Sequence, residues 1–189
     1  MCRTDAAFGP LAWGIKDSLI SYVLGMSDGS VRLTPPAAQT PTGFRFAPDP
    51  AAVPDPAAVP DPAAVPDPAA VPDPAARTLR FVGSVTLQGH NGMMRIEIAD
   101  PWLVAPPGAR AVASATPEPW QLTIRDPFEP GVRLVFAEID RVDEAADGTL
   151  TCVGTRLAAD GADLFFAGPY SRGTLLDDPV VTPPTGTAG

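Results

Sequence analysis

Histidine, lysine and tyrosine are scarce in this chain. Its 189 residues hold one histidine, one lysine and two tyrosines. A single histidine all but removes a structural zinc site, which gathers four Cys or His ligands. The two cysteines, Cys2 and Cys152, make no disulfide framework. No run of about 20 apolar residues exists, so the sequence offers no membrane-spanning helix. Acidic residues outnumber basic ones 22 to 13, for a net charge of -9 and a pI near 4.4. A chain that acidic has no electrostatic reason to seek nucleic acid or an anionic membrane surface. There is no G-x-S-x-G elbow, phosphate-cradling loop, H-E-x-x-H helix or dinucleotide fingerprint. With only His90 available, nothing local supports a Ser–His–Asp set either, and no enzymatic activity is expected. The first thirty residues carry Arg3, Asp5, Lys16, Asp17 and Asp28, which leaves no apolar core for a signal peptide. The default expectation is a soluble, reduced, cytoplasmic protein.

Proline, by contrast, is abundant, with 25 residues, and it is concentrated. Residues 47–76 read as five tandem six-residue units, APDPAA and then VPDPAA, holding ten prolines and five aspartates. Each residue before a proline is pushed toward extended backbone, and proline gives no donor to a helix or a ladder. Thirty such residues could extend to roughly 90 Å as polyproline II, at ~3.1 Å each. The segment reads as a disordered low-complexity insert in a surface loop, with a contact arm for a proline-recognising partner as the second reading. The chain is otherwise one domain over residues 1–189, with a short polar tail over 180–189 expected to fray.

The body reads as mainly β. From Leu11 to Leu24 the apolar residues Leu11, Ile15, Leu19, Tyr22 and Val23 fall on one helical stripe, which Gly25 ends. Beyond it the period becomes two. Leu79, Phe81, Gly83, Val85 and Leu87 alternate with other residues, as do Met94, Ile96 and Ile98, and Gly89-His90-Asn91-Gly92 between them is a hairpin signal. Further strands are expected at Ser30–Leu33, Gly43–Phe46, Leu103–Ala105, Trp120–Arg125, Val132–Val142, Leu150–Leu157 and Ala162–Phe166, with turns at Asp147-Gly148 and Asp160-Gly161. Many short strands and a single N-terminal helix imply an antiparallel two-sheet, sandwich-like body.

Three residues stand out by scarcity. Composition gives each a plain structural reading: Tyr22 as a buried ring on the helix stripe, His90 as a solvated turn residue, and Tyr170 as a lock on a glycine-flanked loop. The surrounding words add a second reading. Leu11-Ala12-Trp13-Gly14-Ile15-Lys16-Asp17-Ser18-Leu19-Ile20-Ser21-Tyr22-Val23 resembles the opening motif of the HtaA domains, bacterial haem-binding domains of haem-uptake systems. The likeness continues through Phe81–Gly92, with its Gly-His-Asn-Gly turn, through Ile96–Pro101, and ends at Tyr170-Ser171-Arg172-Gly173-Thr174. That family's mainly β body agrees with the period reading.

The resemblance implies that Tyr22 is the axial ligand of ferric haem, that His90 hydrogen-bonds it, and that Tyr170 lies in the pocket. Phenolate oxygen suits ferric iron, a hard acid, and an imidazole N–H is a suitable donor to stabilise the ionised phenol. Apolar residues such as Phe46, Phe166 and Met93 would suit the faces of haem, and an unassigned arginine its propionates. The function expected is non-catalytic haem acquisition, buffering or hand-off, with other haem-carrier proteins as partners. Family members are usually exported; a cytoplasmic chain would buffer haem instead. The competing expectation is a haem-free interaction module that uses the proline repeat as its arm.

Overall fold

The computed structural model describes residues 8–52, 78–106, 118–165 and 169–184. Strand β1 (Leu11–Trp13) leads into helix α1 (Asp17–Gly25), followed by β2 (Ser30–Thr34), β3 (Ala38–Thr40) and β4 (Gly43–Pro48). Next come β5 (Thr78–Val82), β6 (Ser84–Gly89), β7 (Met94–Ala99), β8 (Trp102–Val104) and β9 (Trp120–Arg125). The chain continues through β10 (Arg133–Glu144), β11 (Leu150–Leu157), the short helix α2 (Ala159–Asp163) and β12 (Val180–Val181).

The two-sheet sandwich expected from alternation is corrected here. Eight strands close into an antiparallel barrel in the order β1-β12-β11-β10-β9-β8-β5-β4, and β4 returns to β1 through Leu11↔Phe46 and Trp13↔Phe44. Strand β3 lies against β4, and β2, β6 and β7 form a separate three-stranded sheet. Alternation is the same in a sandwich and a barrel, so period alone does not separate them. Closure depends on two short strands, β1 and β12, whose sequences carry no strand signal of their own. The helical stripe predicts Leu11 in the helix, and the short polar tail predicts fraying at Val180–Val181; both pair in the barrel instead, with Leu11 and Val181 fully buried. Phe46, Phe81, Phe136, Leu103, Leu122 and Ile139 fill the interior without solvent exposure.

Three further expectations change. The alternating run through Gly83 is two strands, because Gly83 takes φ +109° and a Cβ there would sit 2.5 Å from the Ala37 nitrogen. Opposite it, Asp100 donates its N–H to the Gly83 carbonyl at 2.9 Å and accepts the Gly83 N–H on its carboxylate at 3.0 Å. One long hairpin therefore bends, with its base (β5, β8) in the barrel and its tip (β6, β7) in the small sheet. Arg133 secures the bend: its guanidinium donates to the Asp100 carbonyl at 2.6 Å and lies 3.8 Å from the Trp102 ring centre. Burial draws its pKa down to about 10, so it stays charged at neutral pH.

The strand expected at Ala162–Phe166 and the turn at Asp160-Gly161 are replaced by α2 and the turn after it. Gly161 is held so closely against the Phe136 carbonyl that a Cβ would clash, and Phe166 lies outside the described residues. Of the proline repeat, Ala47 and Pro48 belong to β4 and pair with Val82 and Phe81, while residues 53–76 lie outside the described residues. Among the described residues, no helix is long and apolar enough to cross a membrane.

Candidate functional site

The helix α1 is shorter than its apolar stripe. Leu11 is in β1, and Ile15 is a fully buried residue at φ +64° before the helix begins. A β-branched residue there is a backbone outlier, held in place by its surroundings. Those surroundings are the C-terminal loop: the Ile15 carbonyl accepts the Asp177 N–H at 2.9 Å, the Trp13 indole donates to the Asp177 carbonyl at 2.7 Å, and Lys16 Nζ donates to the Leu175 carbonyl at 2.9 Å. A Cβ on Gly14 would strike the Asp177 carboxylate. The Trp-Gly-Ile-Lys word thus clamps the loop that follows Tyr170 onto the start of α1.

Within α1, Leu19 and Val23 face the core, whereas Tyr22 is half-exposed. The plain reading of Tyr22 as a buried stripe residue is corrected: Leu19 and Val23 take the core-facing side of α1, and Tyr22 stands beside them at its exposed edge. The β6–β7 hairpin meets it from the other side. Its turn runs through His90 (φ 53°), Asn91 (φ 54°) and Gly92 (φ 84°), three successive left-handed residues, the conformation that Asn and Gly favour. The Asp28 carboxylate accepts the Asn91 N–H and ties the turn to the segment between α1 and β2. The extended Gly89 gives its side-chain space to Met26.

This folding places Tyr22 Oη 2.7 Å from His90 Nε2, across 68 residues of sequence. The rings lie 5.9 Å apart between centres. With both groups neutral, either can donate to the other. Once the phenol loses its proton, only the imidazole N–H can donate.

The pair edges a cleft of about 260 Å³, whose apolar walls include Leu19, Met93, Met94, Ile96, Leu164 and Phe165. Ligand clefts commonly run ~300–1,000 Å³, so this one is small and open. Tyr170 lines it too, partly buried, with Phe165 packed on its ring at 5.0 Å between centres. All three residues singled out in the sequence thus meet at one cleft. Of the apolar residues named beside them, Met93 lines it, and Phe46 does not. Phe46 points into the barrel, fully buried. Phe165, Met94 and Arg95, which also line the cleft, were missed; Met94 and Arg95 follow the Gly-His-Asn-Gly turn directly, and that position was their available signal. Among the described residues, no cluster of His, Cys, Asp and Glu is arranged to hold a bare metal ion.

Comparison with known proteins extends this picture. The HtaA family model matches residues 9–182, nearly the whole chain. The chain belongs to the HtaA family. Two solved HtaA domains from Corynebacterium glutamicum share its fold. The N-terminal domain is 22% identical, with 95% of this chain and 98% of that one covered at a TM-score of 0.60. The C-terminal domain is 18% identical, with 92% and 93% covered at 0.56. No curated protein matches the chain. The HtaA match spans the clamp, the hairpin turn and the loop of Tyr170, the three pieces that build the cleft.

Proposed function

We propose that this HtaA protein binds ferric haem at the cleft, with the Tyr22 phenolate as axial ligand, His90 as the donor that stabilises it and Tyr170 as a wall of the site. The HtaA family is associated with haem uptake, and the role we assign is acquisition, buffering or hand-off without catalysis. The observation that carries this reading is the 2.7 Å pair of Tyr22 and His90 on the rim of an apolar cleft.

The donor set suits the group. Ferric iron is a hard Lewis acid that takes tyrosinate as an axial ligand when haem is bound. A free phenol is protonated at neutral pH, so ligation needs a partner that favours the ionised form. An imidazole N–H aimed at the phenol oxygen is such a partner. The apolar walls match a macrocycle's faces, and half-exposure of Tyr22 leaves the ligating oxygen open to exchange, as hand-off requires.

Titration of the full chain with ferric haem, followed by visible absorption, tests the proposal. Wild type should saturate at one equivalent with a phenolate-to-iron charge-transfer band. Tyr22→Ala should lose that band, and His90→Ala should weaken binding by about tenfold, the scale of one charge-assisted hydrogen bond. A non-saturating spectrum indifferent to both substitutions would favour the haem-free interaction module.

A further inference from the structure

We propose that Arg95 is the anion-recognition residue of the cleft, gripping a carboxylate carried on the edge of the ligand; this rests on the haem-binding reading and names how an acidic ligand is held by an acidic protein. Haem carries two propionates, and a net charge of -9 opposes the approach of any dianion. Among the described residues lining the cleft, Arg95 is the one Lys or Arg, and no carboxylate lines it. The other walls are apolar, apart from Tyr22, Tyr170 and His90. Arg95 is therefore the one cation of an otherwise largely apolar lining, the arrangement by which a few polar groups orient a ligand in a pocket.

Arg95 is also free to turn. It follows His90 by five residues on β7, opposite Gln88 of β6, and its side chain is 62% exposed. Its present partner is Glu97 on the same strand, whose Oε2 accepts from Nη2 at 3.3 Å. Glu97 does not depend on it, because Arg125 stands 3.9 Å from the other carboxylate oxygen and 3.4 Å from Asp100. A solvent-exposed pair of this kind contributes little stability. Arg95 can exchange Glu97 for a ligand carboxylate while Arg125 keeps Glu97 neutralised. A guanidinium presents two parallel N–H groups to a carboxylate, so one arginine can fix a propionate in direction as well as in charge.

The test compares ferric haem with its dimethyl ester, which keeps the macrocycle and iron but lacks both negative charges. Wild type should bind the diacid about tenfold more tightly than the diester, the factor one charge-assisted contact gives. Arg95→Ala should weaken the diacid by about tenfold, leave the diester within twofold, and keep the charge-transfer band and the thermal midpoint. Glu97→Gln should tighten the diacid two- to threefold, as Arg95 loses its competitor. Equal loss for both ligands in Arg95→Ala would make its role packing and overturn the proposal, as would a wild type that does not distinguish the two. Binding of neither ligand by wild type would remove the haem reading and this inference with it. Binding of both with the band intact but no effect of Arg95→Ala would remove this inference alone.

Discussion

The Trp13 indole nitrogen donates to the Asp177 carbonyl at 2.7 Å, joining residues 164 positions apart and fastening the C-terminal loop to the start of α1. Trp13 is 2% exposed and packs edge-on against Phe136 at 5.8 Å between centres. The bond therefore connects the barrel interior with the loop that carries Tyr170. Trp13→Phe keeps an aromatic ring but leaves that carbonyl short of a donor. It should cost about 2 kcal/mol in urea unfolding, given ~1–3 kcal/mol for an orphaned buried polar group. Ligand affinity should fall in the same variant, because one of the three hydrogen bonds that fasten the loop after Tyr170 is lost.

Tyr22 and His90 should contribute little to the stability of the ligand-free protein. Their hydrogen bond is exposed, and such bonds are worth about 1 kcal/mol or less. A double-mutant cycle with Tyr22→Phe and His90→Ala, read by urea unfolding, should give a coupling below about 1 kcal/mol. A coupling of several kcal/mol would make the pair structural.

Gly83→Ala tests the bend that carries the hairpin tip to the helix. At φ +109° with the Ala37 nitrogen 2.5 Å from the added Cβ, alanine has neither the backbone conformation nor the space. The expected loss is about 2 kcal/mol in thermal or chemical unfolding, on the ~1–3 kcal/mol scale of a strained non-glycine residue. Hydrogen exchange should quicken in β6 and β7 more than in β10 and β11.

Cys152 gives a pH dependence of known sign. Burial first, and the Asp178 charge second, push its thiol up to about 12. In the unfolded chain the thiol ionises near pH ~8.5. The folded state thus keeps a proton that the unfolded state gives up, and this contribution is intact below pH ~8.5 and shrinks as pH rises toward 12. Between pH 8 and 10 it should remove about 1–2 kcal/mol, and Cys152→Ala should flatten that part of the stability profile. At pH 8 iodoacetamide should reach Cys152 only after unfolding.

Local chemistry made the hairpin legible in the sequence. Asn91-Gly92 lies in the turn between β6 and β7, and the strand at Trp120–Arg125 follows directly from alternation. Barrel closure was not legible, because β1 and β12 are two or three residues long and gain their pairing from neighbours far away in sequence. The start of the Leu11–Leu24 stripe misleads for a related reason: an apolar spacing of four fits a helix, yet Leu11 lies in a strand and Ile15 is a left-handed residue before α1. Of the site, the words around Tyr22, His90 and Tyr170 were legible. The exposure of Tyr22 was not, since Leu19, Tyr22 and Val23 share one helical stripe and only tertiary packing decides that Leu19 and Val23, rather than Tyr22, face the core.

Resonance Raman spectroscopy of the ferric haem complex, excited within the charge-transfer band, tests ligation by Tyr22 most directly. Wild type should show phenolate ring modes, and Tyr22→Phe should lose them while Tyr170→Phe retains them. Phenolate modes that persist in Tyr22→Phe, or a wild-type spectrum without them, would contradict the account.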